Sequence, residues 1–202
     1  MSHPSRGRPA TGVALVVVDL QEALVPLVWR GTELVDRIAA LTRAARRAGT
    51  PVVALRQVGP AGTVLAPDSP GSRLSARLGP ADVVVPKTAT DGFYRTDLAD
   101  QLARRGVGTI VLAGVATDYC VDATARSALS HDLDVVLVSD GHAPAATGDP
   151  EAGLTAEQVI AHHNRVLGQA VHPGGTLVLR TADEVVFPNP TRPPRPEDDR
   201  RP

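Results

Sequence analysis

Five short apolar runs punctuate the chain, and helix-patterned segments lie between them. The runs are VALVVV at 13–18, PVVAL at 51–55, DVVV at 82–85, GTIVLAG at 108–114 and DVVLVS at 134–139. They are continuous and rich in β-branched residues rather than alternating, the pattern of strands buried on both faces. EVVF at 184–187 is a shorter sixth candidate. Between the runs, Thr32 can cap a helix whose apolar stripe is Leu34, Ile38, Leu41 and Ala45, stopped by Gly49 and Pro51. Thr96 can cap a second helix carrying Leu98 and Leu102 and ended by Gly106. Thr155 and Gln158 form a capping box ahead of Val159, Ile160, His163 and Leu167. This alternation predicts an α/β fold: a three-layer αβα sandwich around a mainly parallel, Rossmann-like sheet of about six strands.

Composition narrows the picture. The 202 residues suit one domain, expected over 12–187, and no internal repeat is visible. The segment 1–11 is rich in Ser, Pro and Arg, and 188–202 is dominated by proline and charge, so both are expected to be disordered. Lys plus Arg number 21 against 22 Asp plus Glu, and aromatic residues make up 2%. Neither favours nucleic acid or an anionic membrane as partner. The apolar run at 13–18 is too short for a signal-peptide core, and no segment has the length of a membrane span. The lone cysteine, Cys120, excludes an internal disulfide and fits a reducing compartment, so a cytoplasmic protein is expected.

In open parallel sheets, ligands bind beyond the carboxyl ends of the strands. Three residues there carry chemistry. Asp19 closes the first run and reads either as a helix cap or loop acid, or as a general base. Lys87 follows the third run, with Pro86 ending it; it reads as an exposed lysine or as a cation beside a thiolate or carboxylate. Cys120 follows the fourth run, past Gly114, where a helix is expected to start with Asp118 as N-cap. It reads as a small buried hydrophobe, or as a nucleophile whose pKa the helix N-terminus lowers. Together they supply a base, a cation and a nucleophile at one rim.

The segments VALVVVDLQ, VVVPKTATDGFYRTDL and IVLAGVATDYCVDATARSAL resemble the isochorismatase-like cysteine hydrolases, in the same order along 13–187. That superfamily includes nicotinamidase, N-carbamoylsarcosine amidase, ureidoacrylate and biuret amidohydrolases, streptothricin hydrolase and isochorismatase. The resemblance implies a parallel sheet between helical layers and a catalytic triad of Asp19, Lys87 and Cys120. It also implies a cis peptide at Val115–Ala116, an oxyanion hole from the Ala116 and Cys120 N–H groups, and a homo-oligomer, dimer or larger. The implied reaction is hydrolysis of a C–N bond in a small molecule (amide, ureide, imide or lactam) through a Cys120 thioester.

Two alternatives stand beside it. Vinyl-ether cleavage of the isochorismatase type is disfavoured because those enzymes lack the cysteine. A non-catalytic, redox-sensing scaffold would leave Asp19 and Lys87 without a role, and no resolving cysteine is present. The chain departs from nicotinamidases at VVALRQVGPAG, where Arg56 and Gln57 replace the metal-binding Asp-x-His motif, and no histidine lies between His3 and His131. No metal and no cofactor are therefore expected. Asp140 and His142 are read as loop residues after the fifth run, and His163 as a satisfied core residue. Candidates for the substrate pocket are Gln21, Leu24, Trp29, Arg56, Phe93, Tyr94 and Tyr119.

Overall fold

The computed structural model of the chain describes residues 10–188. The disordered tails expected from composition therefore lie almost wholly outside the described residues. Six parallel strands form one sheet: β1 (Gly12–Val18), β2 (Val52–Gln57), β3 (Val83–Lys87), β4 (Val107–Val115), β5 (Asp134–Ala143) and β6 (Leu177–Arg180). Their order is β3-β2-β1-β4-β5-β6. The chain winds outward from β1 in one direction, then returns to β4 beside β1 and winds outward in the other. The carboxyl ends of β1 and β4 thus flank the crevice where this topology places ligands.

Successive strand residues point to opposite faces, and the two faces build two cores. Leu15, Val17, Val52, Ala54, Val111 and Ala113 pack under α1 (Gly31–Arg47), which contributes Leu34, Val35, Ile38, Leu41 and Ala45. Ala14, Val16, Val18, Val53, Leu55, Val85, Ile110 and Leu112 pack under α2 (Leu98–Arg104), α3 (Asp122–Ser130) and α4 (Ala156–Gly168). This is the three-layer arrangement expected from the alternation of elements. None of the helices among the described residues is long and apolar enough to cross a membrane.

Four local expectations need correction. EVVF is not the sixth strand: β6 is LVLR at 177–180, and Val185 and Phe187 fold back as part of the α1-side core. A Thr181–Glu184 capping box starts a short turn at Ala182–Glu184 that ends the strand's direction. The α1 helix begins at Gly31 behind Arg30, not behind Thr32; a Cβ at Gly31 would lie 2.0 Å from the Val25 carbonyl oxygen, so only glycine fits that approach. Pro86 does not end β3 but sits within it, tolerated because β3 is an edge strand and needs a ladder partner on one side only. Asp140 and His142 are not loop residues; both belong to β5. The capping box at Thr155 and Gln158 forms as read, with Thr155 Oγ1 accepting from Gln158 N.

Candidate active site

The end of β1 is shaped to aim Asp19 at the sheet's rim. Asp19 takes a left-handed backbone conformation, φ 49°, which Asp tolerates better than most residues. Its N–H still reaches the Leu55 carbonyl at 3.1 Å. At the end of β4, Gly114 has φ 136°, and a Cβ there would lie 2.1 Å from the Val18 carbonyl oxygen. That close approach draws the two strand ends together. The Val115–Ala116 peptide is cis, and a single π turn, Thr117–Val121, leads into α3. Such turns recur at functional sites. Asp118 lies inside this turn instead of capping a helix, and Cys120 is half-buried in it.

Lys87 reaches the same point from β3. It is among the largest fully buried side chains, 2% exposed, and Asp19 is 1% exposed. Lys87 Nζ lies 2.7 Å from Asp19 Oδ2, 2.6 Å from Gln57 Oε1, 3.0 Å from the Ala89 carbonyl oxygen and 3.2 Å from Cys120 Sγ. Three oxygen acceptors around one nitrogen match the three N–H donors of an ammonium. The charge stays buried because a carboxylate and two oriented dipoles surround it.

The protonation pattern differs from the sequence expectation. Burial pushes the Cys120 thiol up to about 11, the adjacent Asp19 charge pushes it further in that direction, and Lys87 pulls it back only in part. The balance of these surroundings favours the protonated thiol, opposite in direction to the lowering that a helix N-terminus alone would give. Burial likewise raises the Asp19 carboxyl above its usual range, against the pull of Lys87 and of a hydrogen bond with Cys120. A carboxylate of raised basicity beside a thiol that retains its proton is the arrangement of a base and its substrate proton.

The remaining candidates scatter. Gln21 is fully buried; its Nε2 donates to the Gln57 and Ser72 carbonyls, both at 3.0 Å, and its Oε1 accepts from Gln57 N at 2.8 Å. It clamps the β1 and β2 ends and offers no donor to a substrate. Phe93 is core, stacked on the His131 ring at 4.5 Å. Leu24 and Trp29 pack on the α1-side core. Trp29 also walls a cavity of about 350 Å³, with Leu34, Arg37, His142, Ile160 and Asn164. Asp19, Lys87 and Cys120 are not among the residues lining it. Arg56 follows Leu55 and precedes Gln57, so its side chain leaves the face opposite Gln57; its buried Nε has no partner among the described residues. Tyr119, within the turn that carries Cys120, and Tyr94, after Lys87, are 61% and 52% exposed. His163 is half-buried and donates from Nδ1 to the Val159 carbonyl at 3.0 Å. Among the described residues no group of three or more His, Cys, Asp or Glu is placed to hold a metal ion.

Gln57 is a residue of the site whose place there the sequence reading does not assign. The register pairs Gln57 with Lys87 at the ends of β2 and β3. Counting in twos from Val53 and Val83 puts both side chains on one face, a signal present in the strand pattern once the pairing is known.

Comparison with known proteins adds the following. The Isochorismatase family model, described as an isochorismatase domain, matches residues 13–167. A streptothricin hydrolase from Streptomyces noursei is 43% identical over 158 residues, covering 73% of this chain and 62% of that protein. The chain thus spans less than two thirds of that relative. A cysteine hydrolase from Pseudomonas syringae pv. phaseolicola superposes with a TM-score of 0.76 at 27% identity, covering 91% of this chain and 96% of the other. An N-carbamoylsarcosine amidase from Thermoplasma acidophilum superposes with a TM-score of 0.66 at 27% identity, covering 87% and 99%.

Proposed function

This chain belongs to the isochorismatase family, and from that premise we propose that it is a cysteine hydrolase acting on a non-peptide C–N bond of a small molecule. The observation that carries the reading is the buried meeting of Lys87 Nζ with Asp19 Oδ2 at 2.7 Å and Cys120 Sγ at 3.2 Å. Support comes from the relatives, whose names are those of a streptothricin hydrolase and an N-carbamoylsarcosine amidase. The substrate class is an amide, ureide, imide or lactam.

In this mechanism Asp19 removes the Cys120 proton as the sulfur attacks the carbonyl carbon, so that no free thiolate accumulates. Lys87 offsets the negative charge that passes between sulfur and carboxylate. The Ala116 and Cys120 N–H groups hold the developing oxyanion. The C–N bond breaks, the proton on Asp19 passes to the departing nitrogen, and a thioester remains on Cys120. Asp19 then takes a proton from water, the hydroxide displaces sulfur, and the proton returns to it as the acid leaves. Buried Lys87 is held in place by Gln57, which makes Gln57 a positioning residue in this scheme.

A panel of amides, ureides and lactams assayed for released ammonia or amine tests the reading. Intact-mass analysis of a quenched reaction is expected to show the acyl group on the wild-type chain and none on Cys120→Ala, with activity lost in the variant. Full activity of Cys120→Ala on the same substrate would overturn the mechanism.

A further inference from the structure

The nucleophile turn rests on a buried polar chain that the proposed mechanism does not use. Thr117, the first residue of the turn, is 1% exposed, and its Oγ1 lies 2.9 Å from His142 Nδ1. His142 is 2% exposed, and its Nε2 lies 3.0 Å from Asn164 Oδ1 on α4. Asn164 Nδ2 donates to the Ser139 carbonyl at 2.9 Å. That last bond fixes the amide orientation: Oδ1 accepts, so Nε2 carries the imidazole proton, and Nδ1 accepts from the Thr117 hydroxyl. Burial drives the His142 pKa down to about 4, which keeps the ring neutral with one donor and one acceptor.

The backbone is built to deliver this imidazole. Along the β4–β5 ladder, Leu112 pairs with Leu137 and Gly114 with His142, so two steps on β4 match five on β5. Residues 138–141 form the bulge. A Cβ at Gly141 would lie 2.6 Å from Val138 Cγ1, so the turn of the bulge admits glycine. Three elements pin it. Arg37 of α1 donates to the Asp140 carbonyl at 3.0 Å and pairs with its carboxylate at 3.2 Å. Ala182 N donates to Asp140 Oδ1 at 2.8 Å. Asn164 of α4 holds Ser139. His142 therefore rejoins the ladder directly beside Gly114, one residue before the cis peptide, with its ring under Thr117.

We infer that Thr117 and His142 are positioning residues: the Thr117–His142–Asn164 chain holds the turn that carries Cys120 against Asp19 and Lys87. Of the four Lys87 Nζ contacts, the one to Cys120 is met only while that turn keeps its place, and burial and the nearby Asp19 charge, which raise the Cys120 pKa, act on the sulfur only there. Loosening the turn releases the sulfur toward solvent. The thiol then returns toward its ordinary value near 8.5 while its alignment with the base is lost. The two effects have opposite signs, faster alkylation and slower hydrolysis. The second of them rests on the cysteine-hydrolase reading; the first does not.

Because Cys120 is the chain's only cysteine, iodoacetamide reports on it alone and needs no substrate. Thr117→Val keeps the side chain's shape and removes the hydroxyl; Thr117→Ser restores the hydroxyl. At pH 8, and well below the melting temperature of each variant, Thr117→Val and His142→Phe are expected to be alkylated at least fivefold faster than wild type. Their apparent thiol pKa is expected to lie below the wild-type value. Thr117→Ser is expected to follow wild type. On any substrate the panel identifies, Thr117→Val is expected to lose at least tenfold in kcat with KM within twofold. The double variant should be no worse than His142→Phe, since both break one chain. Alkylation profiles of Thr117→Val and His142→Phe that superimpose on wild type would overturn the inference. A panel that yields no hydrolysis would count against the proposed function, while the alkylation result would still decide the role of the chain.

Discussion

At the scale of single residues, the site is an arrangement of opposed charges around one thiol. Asp19 and Lys87 act on Cys120 with opposite sign: the carboxylate discourages ionisation of the sulfur and the ammonium encourages it, with burial outweighing both. Replacing each in turn separates them. Alkylation of wild-type Cys120 is expected to rise only as the pH approaches about 11. Asp19→Asn should shift that rise to lower pH, and Lys87→Met should shift it higher, as measured by iodoacetamide rates across pH 7–11. If both substitutions move the profile in the same direction, the charge assignment is wrong. Lys87→Met also leaves a buried carboxylate unpaired, which typically costs about 3–5 kcal/mol of stability. The alkylation series must therefore be run at a temperature where the variant remains folded.

At the scale of elements, the strand ends do the positioning, and their geometry was only partly legible in the sequence. The five apolar runs correspond to β1 to β5; in the inner strands burial on both faces favours apolar residues throughout, whereas the edge strand β3 is apolar yet leaves Val84 45% exposed, against the expectation of burial on both faces. The Thr155 and Gln158 pair located the start of α4 because its two hydrogen bonds are local. The sixth strand is not legible in this way: LVLR and EVVF each carry three apolar residues and one charge, and it is LVLR that pairs at the sheet edge, while Val185 and Phe187 pack on the α1-side core. What decides between them is pairing with β5, a contact across some forty residues that no local pattern encodes. The triad candidates were legible because each lies within a few residues of the end of an apolar run: Asp19 directly after it, Lys87 two residues on and Cys120 six residues on. Gln57, Thr117 and Asn164 were not, since their roles depend on register, on a bulge and on the packing of α4. The approach of β4 to β1 is a further feature of this kind. Gly114→Ala would place a methyl 2.1 Å from the Val18 carbonyl at φ 136°. We expect it to destabilise the fold by at least about 2 kcal/mol, and to lower activity more than stability because both strand ends carry site residues. Thermal melts read beside kcat check this, and an unchanged melting temperature would show that the strands have room to part.

At the scale of the whole molecule, buried ionisable groups tie stability to pH, and their signs differ. Asp19 has a folded pKa raised above its unfolded value by burial. Its contribution is therefore fully present below the unfolded value and is lost as pH rises through the folded one. It cannot weaken the fold on acidification. His142 behaves in the opposite sense. Its pKa falls from 6.5 to about 4 through burial, and the groups acting on it, Asn164, His163 and Asp140, do not reverse that. Its stabilisation is fully present above pH 6.5 and is lost as pH falls toward 4, because the unfolded chain takes up a proton that the folded chain refuses. The shift corresponds to about 3 kcal/mol at 1.36 kcal/mol per unit. Protonation also removes the acceptor of the Thr117 hydroxyl, so the turn that carries Cys120 and the fold weaken together in acid. Urea unfolding at pH 7, 5.5 and 4.5 is expected to show stability declining through this window in the wild type. His142→Gln, which cannot titrate, should start lower and decline less. Equal slopes for the two chains would place the acid sensitivity elsewhere and remove His142 from the account of stability.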